Sequence, residues 1–177
     1  MREEIIMAGS GGQGIMFAGT LLAHAAMDEG LNVTYFPSYG AEMRGGTANC
    51  TVIISDENIG SPVVTNPSTL LAMNEDSLER FASKVKKGGL IIVNSSLSKK
   101  EIAMDKVEVL KIPATELAEK LGDGRVANMV ILGAYINRRK AVSLERTTES
   151  LRKVLGEERK ELLKLNREAL RKGEEYK

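Results

Sequence analysis

Two hydrophobic periods alternate along the chain. Glu4–Ala8 (EIIMA) is a short apolar run that stops at Gly9-Ser10-Gly11-Gly12-Gln13-Gly14. Past it, Ile15, Ala18, Gly19, Leu22, Ala25 and Ala26 recur with a period of 3.6 and share one helix face, which predicts a helix ending near Gly30. Asn32–Phe36 (NVTYF) reads as a second strand, closed by Pro37. Strand, glycine turn, helix and strand together make a βαβ unit, which implies a parallel sheet. Thr47–Ser55 has the β-branched content of a third strand. Further strands are expected at Leu70–Met73, Gly89–Asn94 and Val107–Ile112, with a helix at Glu75–Val85 and a stop at Pro113.

After Pro113 the pattern is helical to the end. Val126, Met129, Val130, Gly133 and Ala134 form one stripe. Ile131, Leu132 and Ile136 make that helix apolar nearly all round, as a buried helix is. Leu144, Leu151 and Leu155 form a second stripe, and Leu162, Leu165, Ala169 and Leu170 a third. The fold class is therefore α/β: a Rossmann-like, mostly parallel sheet with flanking helices and a helical C-terminal part. At 177 residues, with no repeat or linker, the chain is expected to form one domain over residues 1–177.

Composition narrows the chemistry. One cysteine and one histidine cannot build a thiolate zinc site, an iron–sulfur cluster or a histidine relay. Cys50 is in phase with Ala48, Val52 and Ile54 and reads as core; His24 reads as a helix-flank residue. No apolar run approaches the roughly 20 residues of a bilayer-spanning helix. No signal peptide is expected, because Met1–Glu4 leads straight into a strand. The expectation is a cytoplasmic protein. A net charge of +1 gives no drive toward nucleic acid or membrane. The charge is unevenly spread: residues 1–80 carry three basic and ten acidic groups, a balance of −7, whereas residues 138–177 carry thirteen and eight. The latter, mixed at helical spacing, reads as a solvated helix face.

Gly9–Gly14 satisfies G-x-G-x-x-G between a strand and a helix. In that reading Gly9 permits the tight turn, Gly11 and Gly12 admit a ligand to the backbone, and Gly14 lets helix and strand pack closely. Free N–H groups at a helix start favour an anion such as phosphate. A purely structural glycine turn is the other reading, and both stay open. A nicotinamide enzyme would place an acid at the end of the second strand for the ribose hydroxyls, where this chain has Thr34, Tyr35, Phe36 and Pro37. The loop Pro37–Thr47 carries Tyr39, Glu42, Arg44, Gly45 and Gly46, and Arg44 could grip a carboxylate or phosphate or simply hold its loop. Asn128 either caps its helix or touches a ligand. Gly122-Asp123-Gly124 lacks the downstream Asn-Asn of a thiamine-diphosphate signature and reads as a turn. No nucleophile–base pair, carboxylate pair or metal-ligand set emerges, so no residue is assigned as catalytic or metal-binding.

Ala8–Leu21, Ser38–Ser55 (with its E-M-R-G-G run), Ala127–Ala134 and Leu162–Gly173 together resemble the gamma subunits of 2-oxoacid:ferredoxin oxidoreductases. Within them the wording is most like the separate gamma chain of 2-oxoglutarate enzymes. Such enzymes oxidatively decarboxylate a 2-oxoacid such as pyruvate or 2-oxoglutarate, join the acyl group to coenzyme A and reduce ferredoxin. The resemblance implies alpha and beta partner subunits, and a delta subunit where one exists. It implies that thiamine diphosphate, magnesium and iron–sulfur clusters sit on those partners. This chain would hold none of them and would help place coenzyme A as co-substrate. Its candidate phosphate cradle is then Gly9, Ser10, Gly11, Gly12, Gln13 and Gly14 with Arg44. Tyr39, Glu42, Gly45, Gly46 and Asn128 would face the ligand or a subunit interface. Two alternatives come from other classes: a free-standing Rossmann-like nucleotide-binding regulator, and a purely structural interface subunit. Self-association of the isolated chain through helices meant for partners also stays open.

Overall fold

The computed structural model describes residues 1–39 and 46–177 of the chain. Nine residues, Arg2–Ser10, form β1; α1 follows at Ile15–Asp28, β2 at Asn32–Tyr39, β3 at Thr47–Ser55 and β4 at Thr69–Ala72. Then come α2 (Glu75–Phe81) with a 3-10 turn at Ala82–Lys84, β5 (Leu90–Asn94), β6 (Glu108–Ile112) and α3 (Ala114–Leu121). A second 3-10 turn, Gly124–Val126, leads to α4 (Ala127–Arg139), α5 (Leu144–Leu155) and α6 (Lys160–Glu174). The six strands form one sheet in the order β2-β3-β1-β4-β5-β6.

Three of the five pairings are parallel, so the mostly parallel sheet holds, but the first βαβ unit differs from its simplest form. β3 lies between β1 and β2 and is antiparallel to both, from Arg2↔Ser55 to Ser10↔Thr47 on one side and Asn32↔Ser55 to Tyr39↔Ala48 on the other. β2 thus runs with β1 without touching it. Pro37 does not close β2 but lies inside it, opposite Cys50. β2 is an edge strand, so a residue without an N–H is tolerated there. β4 sits one residue earlier than the apolar run suggests, and the last turn of the 75–85 helix tightens to 3-10 geometry.

Period-2 alternation along β1 divides the core. Ile5 and Met7 face a large cluster with α1, α4 and the outer helices, whereas Ile6 and Ala8 face a smaller one with Leu78, Phe81 and Ala82. α4 is the central helix, with ten successive residues, Ala127–Ile136, buried. Sheet, α1, α3 and α6 surround it. Each of its large aliphatic side chains contributes about 1.5–3 kcal/mol on burial, which is why this helix tolerates so little polarity. In α6 the buried face is Leu163, Asn166, Ala169, Leu170 and Gly173: Ala169 and Leu170 lie on it as expected, Leu165 is half-buried, and Leu162 is exposed with Leu163 buried in its place. Cys50 is fully buried and His24 exposed. Gly122–Gly124 forms a turn, with the Asp123 carboxylate accepting from Arg125 N–H. No helix among the described residues is long and apolar enough to cross a membrane.

Candidate functional site: the glycine edge of the sheet

β1 ends at Ser10 and α1 begins at Ile15, leaving Gly11–Gly14 as the whole connection at the carboxyl edge of the parallel strands. The turn is closed reciprocally: Ser10 N–H donates to Gln13 Oε1 (2.7 Å), and Gln13 N–H donates to Ser10 O (3.1 Å). Gly12 is exposed at φ +96°, with open space where a side chain would stand. Gly14 is the α1 N-cap at φ +71°, a conformation that strains other residues, and no side chain caps this helix. The first-turn N–H groups of α1 and the exposed backbone of Gly12 therefore form an edge with anion-binding character.

Two asparagines, Asn74 and Asn128, brace this edge, and a third, Asn94, ties β5 to α3. Asn74 Nδ2 donates to Ser10 Oγ (2.8 Å) and Gln13 Oε1 (3.3 Å), while its Oδ1 accepts from Ser77 N–H as the α2 cap. Asn94, at the end of β5, accepts from the N–H groups of Ala114 and Thr115 and donates to Thr115 Oγ1 (2.9 Å). Asn128 Nδ2 donates to Gly14 O (2.9 Å), and its Oδ1 accepts from Met129 N–H (2.9 Å) in the first turn of α4. Asn128 therefore serves its own helix start and clasps the glycine loop together.

The two glycine-rich segments converge. Gly11 N–H donates to Gly46 O (3.0 Å), and Thr47 lies opposite Ser10 in the β1–β3 register. Glu42, Arg44 and Gly45, and the side chain of Tyr39, lie outside the described residues. Two expected glycine roles change. Gly9 belongs to β1 rather than to the turn, and a side chain there would meet Gln13 Oε1 at 2.6 Å and Ile15 Cδ1 at 2.9 Å. Gly14 lies against Asn128 of α4, not against the strand. Sequence reasoning missed Asn74 and Arg80. The signal for Asn74 was present, an asparagine after a strand followed by Glu-Asp-Ser. Arg80 Nη1 donates to Thr47 Oγ1 (3.3 Å), which brings a guanidinium to the start of β3 beside Ser10. It had no signal, because only the fold joins α2 to that place.

Among the described residues, what this edge offers a ligand is the exposed backbone at Gly12 and the helix start without a side-chain cap. Cys50 Sγ points at Ile15 O (3.7 Å) beneath the first turn of α1, and burial pushes its thiol up to about 12, so it supplies no thiolate near neutral pH. Dinucleotide binding in the Rossmann manner needs an acid at the end of a parallel neighbour of β1 on this side. That neighbour is the antiparallel β3, which contributes its first residues instead. This geometry disfavours the free-standing nucleotide binder.

The sequence profile described as pyruvate ferredoxin/flavodoxin oxidoreductase matches residues 4–176. Ketoisovalerate oxidoreductase subunit VorA of Methanothermobacter thermautotrophicus is 42% identical over 133 residues, 75% of this chain but only 28% of VorA, so the chain spans little more than a quarter of that relative. 2-Oxoglutarate synthase subunit KorC of Methanothermobacter marburgensis is 40% identical over 159 residues, 86% of each chain. Among solved structures, the gamma subunit of keto/oxoacid ferredoxin oxidoreductase from Geobacter sulfurreducens matches with a TM-score of 0.81 at 31% identity, covering 97% of this chain and 95% of that one. The 2-oxoglutarate:ferredoxin oxidoreductase of Magnetococcus marinus, solved with 2-oxoglutarate, coenzyme A and succinyl-CoA, matches with a TM-score of 0.88 at 30% identity, over 98% of this chain and 30% of that chain. Sequence and architecture agree over nearly the full length: this chain belongs to the pyruvate ferredoxin/flavodoxin oxidoreductase family, among its gamma-type subunits.

Proposed function

We propose that this chain works as the gamma subunit of a cytoplasmic, multisubunit 2-oxoacid:ferredoxin oxidoreductase, and that its glycine edge receives the phosphates of coenzyme A. In the overall reaction a 2-oxoacid loses carbon dioxide, its acyl carbon is oxidised onto the coenzyme A thiol, and two electrons leave to ferredoxin. Thiamine diphosphate, magnesium and iron–sulfur clusters belong to the alpha, beta and delta partners in this reading. The observation that carries it is the Gly11–Gly14 turn: Gly12 is exposed with open space around it, the helix start that follows has no side-chain cap, and Arg80 reaches Thr47 nearby. A phosphate fits such an edge, and a catalytic base is not needed there. The coenzyme A complex of the Magnetococcus relative supports the ligand. We favour 2-oxoglutarate as the oxoacid because KorC chains match at comparable length, whereas the more identical VorA match covers a fraction of its protein.

The test is anaerobic purification of the tagged chain with its partner subunits. Dye reduction dependent on both oxoacid and coenzyme A is then compared among 2-oxoglutarate, pyruvate and 2-oxoisovalerate. The complex is expected to prefer 2-oxoglutarate, and the isolated chain to be inactive. Full coenzyme A-dependent activity in a complex lacking this chain overturns the assignment. For the edge itself, Arg44→Ala and Arg80→Ala are each expected to raise the KM for coenzyme A about tenfold with thiamine diphosphate content unchanged, the size of one lost charge-assisted phosphate contact. An unchanged KM in both removes coenzyme A from this edge.

A further inference from the structure

A groove of about 500 Å³ runs between α5 and α6. Five cations line it, Arg152 from α5 and Lys160, Lys164, Arg167 and Arg171 from α6, against two carboxylates, Glu157 and Glu168. The four cations of α6 are spaced at i, i+4, i+7 and i+11, so they stack on one helix face. Like charges three and four residues apart destabilise a helix, and natural helices ordinarily relieve them with acids at the same spacing. Glu168 stands at i+4 from Lys164, yet none of the five cations forms an ion pair among the described residues. Arg167 goes further: its Nε is shut off from solvent and has no hydrogen-bond partner. A row of unpaired cations in a concave surface, one with a desolvated donor, is a surface built for negative charge supplied from outside the chain.

We propose that the α5–α6 groove seats an acidic segment of a partner protein. The charges extend over twelve residues of α6, about 16 Å of helix from first to last, too far for one phosphate group and well matched to carboxylates repeated along a second helix. The lining holds Leu163 and no aromatic side chain, so a nucleotide would find no platform for its base. The inference rests on the charge pattern of this chain, not on the glycine edge, and the two can fail separately.

The experiment uses the full chain and a labelled helical peptide with Glu at i, i+4 and i+7, followed by fluorescence anisotropy across a salt series. The peptide is expected to bind saturably, more weakly as salt rises. The double reversal Lys164→Glu with Arg171→Glu, at two exposed positions, is expected to weaken binding by about tenfold or more. The control reversal Lys87→Glu with Lys99→Glu, exposed but outside the groove, is expected to stay within about twofold. Circular dichroism checks that both variants keep the wild-type fold. Equal loss in both variants, or none in the first, overturns the proposal. Tighter binding of inorganic tripolyphosphate, displacing the peptide, overturns it in favour of a phosphate site. A salt-sensitive dimer that the groove reversal abolishes in sedimentation overturns it in favour of self-association.

Discussion

At the scale of single residues, Asn128 holds two backbone groups at once, Gly14 O and Met129 N–H, from a nearly buried position. Asn128→Ala strips Met129 N–H of this partner and leaves Gly14 O with only the Ala18 N–H bond, and is expected to cost about 1–3 kcal/mol in urea unfolding. Tyr135 tests the opposite case. Its hydroxyl is buried without a partner, and burial, then the nearby Glu3 carboxylate, hold the phenol neutral far above neutral pH. Tyr135→Phe removes an unpaired polar group while keeping the ring, and is expected to raise stability by up to about 1 kcal/mol. Cys50, with its thiol at about 12, is expected to resist alkylation by iodoacetamide at pH 8 until the protein unfolds, which mass spectrometry reads directly. Asn128 was visible in the sequence as a polar break in an apolar stripe, but its clasp on Gly14 was not. A side-chain bond between residues 114 apart leaves no local pattern.

At the scale of elements, the apolar periods placed the six strands and most of the helices, though no stripe marked α3, while glycine-mediated contacts stayed hidden. α4 and α6 cross where Gly133 meets the backbone at Leu170 and Gly173 meets the backbone at Val130. An added methyl at either place would collide with main chain, which cannot swing aside as a side chain can. Gly133→Ala and Gly173→Ala are each expected to cost about 1–3 kcal/mol, read as a lowered denaturation midpoint. The same crossing explains why Leu162 falls outside its expected stripe: Asn166 and Gly173 occupy the contact face with Ala169 and Leu170 but carry no hydrophobic signal. The order β2-β3-β1 was equally hidden, since nothing local says that β3 turns back between two strands already joined by a helix. α5 is tied to the end of α1 through Asp28, which accepts from Ser150 Oγ and Lys153 Nζ. Lys153 first and Ser150 second hold the Asp28 carboxyl below its usual range. A depressed carboxylate stabilises the fold above its unfolded-state value and loses that contribution as the pH falls through the folded one. Acid unfolding below about pH 4 is therefore expected to involve α5 docking, and Asp28→Asn to flatten that part of a stability–pH curve.

At the scale of the whole molecule, the chain is a sheet with one heavily covered face and one lightly covered face, and its glycine edge depends on parts far apart in sequence. β1, at the centre of the sheet, pairs with residues 47–55 and 69–72, and its glycine turn is braced by Asn74 and Asn128. That arrangement has a consequence for biosynthesis. At about 5–20 residues per second, the ribosome needs about 6–23 s after Gly14 to deliver the residue that clasps it, and the α4 helix that carries Asn128 follows only then. For that interval the nascent chain carries the glycine motif without its shape. A transcript ending before codon 128 therefore encodes the glycine motif without the asparagine that clasps it.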